Sequence, residues 1–160
     1  MADSRGEIYW VISNKSISES LSMNKRYVLD AWALLALLQS EEPAASRVRE
    51  LLLEGERQQA TVLLSIVNLG EVYYRVGKRS NRAAALDTLK DIRRLSLTIV
   101  SASDEMVLAA ADLKIEYAIS YADAFAVALA DRAGTTLVSG DPEFDQLQDR
   151  IELEKLHRTK

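Results

Sequence analysis

Four carboxylates stand where an acid serves either as a helix cap or as a working part of a site. Asp30 follows the short apolar run RYVL, and Asp141 follows TTLVSG. Asp123 opens the run YADAFAVALADRAG, and Glu71 lies within the run after TVLLS. Each has a plain structural reading. Asp30 is a favoured N-cap for AWALLALL. Asp141 before Pro142 has the order of an N-cap followed by proline at the first helical position. Asp123 fits the third position of a capping box with Ser120, although Glu or Gln is preferred there. Glu71 lies opposite an Ile66, Leu69 and Tyr73 stripe and suits a solvent-facing position.

Jointly the four acids point to chemistry. If RYVL and TTLVSG are strands of one parallel sheet, Asp30 and Asp141 share its carboxyl edge, where open α/β sheets bind ligands. Glu71 and Asp123 need only lean over that edge to converge with them. Asp123 sits among Ala122, Ala124, Ala126, Ala128 and Ala130. Such small side chains let a helix pack closely, which makes an unpartnered acid there costly. Four acids in one pocket repel one another unless a cation neutralises them. An oxygen-only donor set suits a hard cation, Mg2+ or Mn2+. In-line displacement at phosphorus is the chemistry of such sites.

Composition removes most rivals. There is no Cys, which excludes disulfide scaffolds, thiolate metal sites and cysteine nucleophiles and fits a reducing cytoplasm. The single His, His157, stands three residues from the end, so a His-based triad or His-rich metal site does not fit. The 160 residues suit one domain. The longest apolar stretch, residues 27–38, is interrupted by Asp30 and falls short of the roughly 20 residues that a bilayer needs. The opening residues, acidic early and without an adequate apolar stretch, are not expected to act as a signal peptide. A net charge of −4 does not advertise nucleic-acid binding, but charge is uneven. Between Val72 and Arg94 seven basic residues face two acidic ones. Arg75, Lys78, Arg79 and Arg82 lie nearest Glu71 and are candidates for phosphate contact, with Tyr74 available to stack. A pair of solvated helix faces is the alternative.

The elements that must position these residues alternate. Apolar runs predict strands over 26–29, 61–65, 97–103, 135–140 and 150–154, the last at an edge. Helical periodicity predicts helices over 31–39, 43–53, 66–78, 80–95 with Ser80 as N-cap, 104–117 and 121–133, with a helical turn over 141–144. The pattern is that of an α/β fold with a mostly parallel sheet of about five strands. Residues 1–22, Ser-rich and without sustained periodicity, read as a leader or arm. A disordered or non-native extension and a docked strand formed by EIYWVI both stay open. The compact domain is expected over 23–156, with a tail at 157–160.

The segments YVLDAWALLALL, LLSIVNLGEVYYRVGK and SYADAFAVALADRAGTTLVSGDPEF, in this order and spacing, resemble the PIN-domain ribonucleases of the VapC toxin type. The resemblance spans about Met23 to Leu156. It rests on D-A-W-A-L-L, on S-I-V-N-L-G-E, on D-A-F-A-V-A-L-A and on S-G-D-P-E-F. It implies a three-layer α/β/α sandwich. It also implies an acidic quartet at Asp30, Glu71, Asp123 and Asp141, holding one or two Mg2+ or Mn2+ ions, with Ser139 in support. Ser65 and Asn68 match lesser positions. Glu143 and Asp145 follow the last acid, and in some members such a residue helps with metal. The implied activity is hydrolysis of single-stranded RNA, as the toxin of a toxin–antitoxin pair in the cytoplasm. The implied partners are a second copy of the chain and a cognate antitoxin, whose segment would lie against residues 31–38 and 48–53. The leader is not part of the family pattern. Two rival classes remain. A phosphoacceptor or phosphatase domain would want paired acids near Asp30 and a Lys after TTLVSG, and neither is there. A catalytically weak PIN-like interaction module would have no need of four acids.

Overall fold

The computed structural model describes residues 24–159. The leader reading of residues 1–22 therefore lies outside the described residues. Five strands form one sheet: β1 (Lys25–Leu29), β2 (Ala60–Ser65), β3 (Thr98–Val100), β4 (Thr136–Ser139) and β5 (Leu153–Lys155). Their order is β3-β2-β1-β4-β5, and every pairing is parallel. Parallel neighbours need long crossovers, and helices supply them. These are α1 (Ala31–Leu38), α2 (Ala44–Glu56), α3 (Ile66–Arg79), α4 (Arg82–Ile92), α5 (Asp104–Glu116) and α6 (Tyr121–Ala133). A 3-10 helix over Pro142–Leu147 joins β4 to β5.

The central strands are apolar on both faces, as a sheet covered on both sides requires. Leu29, Leu64 and Val138 face a core shared with α1, α2 and α3, and Val28 and Leu137 face a second core beneath α5, α6 and Phe144. The result is a three-layer α/β/α sandwich. Helix α6 is buried from Asp123 to Ala130, and it touches β1, β2, β4, α3 and α5. Its alanines make that burial sterically feasible. Gly134 ends it in the left-handed region at φ 59°, which costs glycine little and turns the chain into β4.

Register aligns the strand ends. Leu29 pairs with Leu64 on one side and with Val138 on the other. The next residues, Asp30, Ser65 and Ser139, therefore stand level on the carboxyl edge. The strand order reverses at β1, which puts a crevice between β1 and β4.

Local details depart from expectation for local reasons. Asn81, not Ser80, caps α4, because its Oδ1 accepts the Ala84 N–H at 2.9 Å, while Ser80 closes the preceding helix. The strand expected over 97–103 shrinks to three residues because Ser103 is taken up as the N-cap of α5. The buried face of α3 runs through Asn68, Leu69 and Val72, and Ile66 is turned outward. The chain after Leu156 packs back on the body: the Ala44 N–H donates to the His157 carbonyl at 3.0 Å and the Thr159 N–H to that of Glu42 at 2.9 Å.

Two helical glycines should respond in opposite senses to alanine. A Cβ at Gly55 would meet the Ser96 carbonyl oxygen at 2.7 Å, whereas a Cβ at Gly70 meets nothing within 4 Å. Gly70→Ala is expected to stabilise by about 0.4–1 kcal/mol through helix propensity. Gly55→Ala is expected to destabilise by about 1–3 kcal/mol through overpacking. Paired denaturant melts check both signs, and a stabilised Gly55→Ala would show that α2 does not approach the Ser96 turn this closely.

Candidate active site

Asp30 is fully buried at the end of β1. One carboxylate oxygen caps α1 by accepting the Ala33 N–H at 2.9 Å, and the other accepts the Ser139 hydroxyl at 2.5 Å. Ser139, on β4, in turn accepts the Asp141 N–H at 3.0 Å. Its hydroxyl thus joins the two strand ends. Burial pushes the Asp30 carboxyl up to about 7, against the opposing pull of the Ser139 and Ala33 hydrogen bonds and with help from the charges on Asp141 and Glu71.

Asp123 lies in the first turn of α6 and is 7% exposed. Ser120 caps that helix. Its hydroxyl accepts the Asp123 N–H at 3.1 Å and donates to the Asp123 carboxylate at 2.7 Å. The capping box is not the reciprocal one, because the Ser120 N–H donates to the Glu143 carboxylate at 2.8 Å. Burial pushes the Asp123 carboxyl up to about 8, opposed by Ser120 and reinforced by Glu143, Asp30 and Asp141.

Glu71 does not face open solvent, since its side chain is 15% exposed. Burial raises its carboxyl, Arg75 at 3.6 Å lowers it, and Asp141 and Glu143 raise it further. Asp141 caps the 3-10 helix by accepting the Glu143 N–H at 2.9 Å. Of the two following acids, the structure turns Glu143 toward Asp123 and Ser120. It turns Asp145 away, into an ion pair with Lys155 at 2.6 Å.

The four predicted acids and Glu143 therefore feel one another's charge across the carboxyl edge. Capping does not keep the acids apart: Asp30 and Asp141 each cap a helix, and the Asp141 charge still bears on the Asp30 carboxyl. Among the described residues no three His, Asp or Glu side chains form a ready-made metal cage. The donor set itself fits a hard dication, being all oxygen, partly buried and in mutual repulsion. An unlike charge would relieve that repulsion.

A residue given little weight in the sequence reading holds the site together. Asn68 is fully buried, and its Oδ1 accepts the Ala31 N–H at 3.0 Å while its amide donates to the Ala122 carbonyl at 3.0 Å. It ties together the helix starts that carry Asp30 and Asp123. The signal was an amide on the apolar side of α3. Ser65 is a plain N-cap, accepting the Val67 N–H at 3.2 Å. The basic candidates Arg75, Lys78, Arg79 and Arg82 are all exposed. Arg75 pairs with Glu71, Lys78 lies 5.3 Å from the Tyr74 ring centroid, and Arg79 donates to Gln39 at 2.8 Å. Arg75 and Arg79 also line a cleft of about 150 Å³ with Leu35, Gln39 and Val76.

The family model described as PIN domain matches residues 27–149. Among solved structures, the chain is similar to VapBC2 from Rickettsia felis bound to a DNA fragment from its promoter. That likeness has TM-score 0.63 and 20% identity, and covers 82% of this chain and 99% of that one. It is similar to VapC20 from Mycobacterium tuberculosis, a sarcin-ricin loop cleaving toxin, with TM-score 0.61 and 17% identity over 75% of this chain and 93% of that one. It is also similar to DNA-bound VapBC from Salmonella typhimurium, with TM-score 0.63 and 17% identity over 82% and 98%. No curated protein matches the chain.

The raised carboxyls set a pH dependence. Unfolded carboxyls titrate near pH ~4, so between about pH 4 and 8 the folded state holds more protons than the unfolded chain. Stability must then fall as pH rises through that window. In chelator, Tm is expected to drop from about pH 5 to about pH 8, and Asp123→Asn should flatten the drop. A wild-type melting temperature indifferent to pH over that range would show that these carboxyls do not repel or resist ionisation as described.

Proposed function

Because the chain belongs to the PIN-domain family, we propose that it is a divalent-metal-dependent endoribonuclease acting on single-stranded RNA, and the toxin of a toxin–antitoxin pair. The observation that carries this reading is the buried Asp30 carboxylate, held by Ser139 across β1 and β4 and facing Glu71, Asp123 and Asp141. Helix capping accounts for Asp30 and Asp141 singly, but not for four mutually repelling acids gathered at the carboxyl edge of a parallel sheet, which a bound dication would explain.

Asp30 and Asp141 are the direct metal ligands in this reading, and Glu71 and Asp123 bind directly or hold ordered water. Glu143 stands beside them as a reserve acid. Ser139 fixes the orientation of Asp30, and Ser120 that of Asp123. When bound, one or two Mg2+ or Mn2+ ions supply Lewis acidity for water attack in line with the leaving oxygen. No side chain is required as nucleophile. The RNA approaches along the exposed face of α3, where Arg75, Lys78, Arg79 and Arg82 meet phosphates and the half-exposed Tyr74 offers a ring to a base.

A solved structure similar to this chain is a member of the VapBC family of toxin–antitoxin systems, which supports a cognate antitoxin for this chain. Leu38 on α1 and Leu53 on α2 remain exposed and suit an apolar segment of that partner. A homodimer and a cytoplasmic setting complete the proposal. Among the described residues no helix is long and apolar enough to cross a membrane.

The test is cleavage of an unstructured RNA. Turnover should require Mg2+ or Mn2+ and stop in chelator. Asp30→Asn should lower it at least about 10²-fold, the scale of losing a main charge-stabilising group. Binding alone should show as stabilisation of about 2.7 kcal/mol with Mn2+ at 100 times Kd, reduced in Asp141→Asn. Wild-type turnover in Asp30→Asn would refute the quartet. Antitoxin binding without any metal-dependent cleavage would favour an interaction module instead.

A further inference from the structure

Resting on the nuclease reading above, we propose that Trp32 is a positioning residue of the carboxylate site, held in place by Arg158 of the C-terminal tail. Trp32 lies two residues after Asp30, in the first turn of α1. Gly140 lies between Ser139, which hydrogen-bonds Asp30, and Asp141. A Cβ on Gly140 would overlap three carbons of the Trp32 six-membered ring. The indole therefore fills the space between the helix that starts at Asp30 and the turn that carries Asp141. Glycine is required at 140 by this close approach, not by its backbone angles.

The other partner of the ring comes from the end of the chain. The Arg158 guanidinium lies 5.2 Å from the Trp32 ring centroid, and it also donates to Glu41 at 2.9 Å. The segment that carries Arg158 is tied down at both ends. The Leu156 N–H donates to the Ser139 carbonyl at 2.9 Å, and the Thr159 N–H donates to the Glu42 carbonyl at 2.9 Å. The tail thus leaves β5, bonds to the end of β4 beside Gly140, places Arg158 over Trp32, and joins the turn after α1. One rigid ring meets the start of α1, the Ser139–Asp141 turn and the tail. Loosening it changes the spacing of Asp30 and Asp141 without removing a single carboxylate.

In this proposal Trp32 and Arg158 bear on the acids and not on RNA. Both act through the geometry of the acids, so metal affinity and turnover should suffer while RNA affinity does not. The experiment uses the full chain with Arg158→Ala, Arg158→Lys and Trp32→Phe. It reads kcat and KM on an unstructured RNA with Mn2+, Mn2+ affinity by calorimetry, and Tm in chelator. Arg158 is an exposed side chain, so its variants should fold. Arg158→Ala is expected to lower kcat about tenfold or more, the scale of a misplaced reacting group, with KM unchanged and Mn2+ bound more weakly. Arg158→Lys, which keeps a cation over the ring but not the planar fork, should recover part of both. Trp32→Phe should fall between wild type and Arg158→Ala in kcat and Mn2+ affinity. Variants that lose Tm but keep wild-type kcat and Mn2+ affinity would reduce the cluster to packing and overturn the inference. A wild-type chain that neither binds Mn2+ nor cuts RNA removes the nuclease reading and this inference with it, whereas an active wild type with unaffected variants removes the inference alone.

Discussion

A single hydrogen bond between two strand ends organises this protein. The Ser139 hydroxyl reaches Asp30 at 2.5 Å, and both side chains are buried. An ionised carboxylate without partners in that position would carry a desolvation cost of several kcal/mol. The serine offsets part of that cost and also fixes where the acid points. It can do so only because β4 lies beside β1 with Leu29 opposite Val138. Sheet order, register and the orientation of the central acid are therefore one constraint. The remaining residues of the site are arranged around it.

The acids illustrate how structure and chemistry share groups. Asp30 and Asp141 cap helices, and Asp123 is held by the cap of its own helix. The same geometry that satisfies helix N–H groups leaves part of each carboxylate's accepting capacity unused. This is why a capping explanation for each acid alone was sound and still incomplete. Asn68 works on the same principle from the opposite side. By bonding Ala31 and Ala122 it holds two helix starts at a set separation, with no charge to add to the crowding.

Charge is graded along α3. Glu71 lies at the crevice, Arg75 one turn further out partly neutralises it, and Lys78 and Arg79 continue outward on exposed positions. In the proposed reading such a gradient would draw a polyanion toward an acidic centre that otherwise repels it. Helix periodicity sets the gradient up, because residues three and four apart share a face. The net negative charge of the chain conceals it.

What the sequence determined by itself is local. Apolar runs of strand length, alternating with helical periods, specify the elements and the α/β class, because each depends on neighbours within a few residues. The acid types and the caps at Asp30, Ser120 and Asp141 were legible for the same reason. So were the resemblance carried by four short motifs and the oxygen-only character of any metal site in a chain without Cys. Ser80 against Asn81 shows the limit even of local reading, since two adjacent cap residues compete and packing selects one. The tertiary structure decided what depends on contacts distant in sequence. Asp30 and Ser139 are 109 residues apart, and nothing local says that β4 inserts beside β1. The choice between Glu143 and Asp145 rests on Ser120 and Lys155, and the fit of Trp32 against Gly140 and Arg158 joins both ends of the domain. Local patterns choose elements because their energies are summed over adjacent residues. Convergence is chosen by strand pairing and close packing, whose energies exist only once the whole sheet has formed.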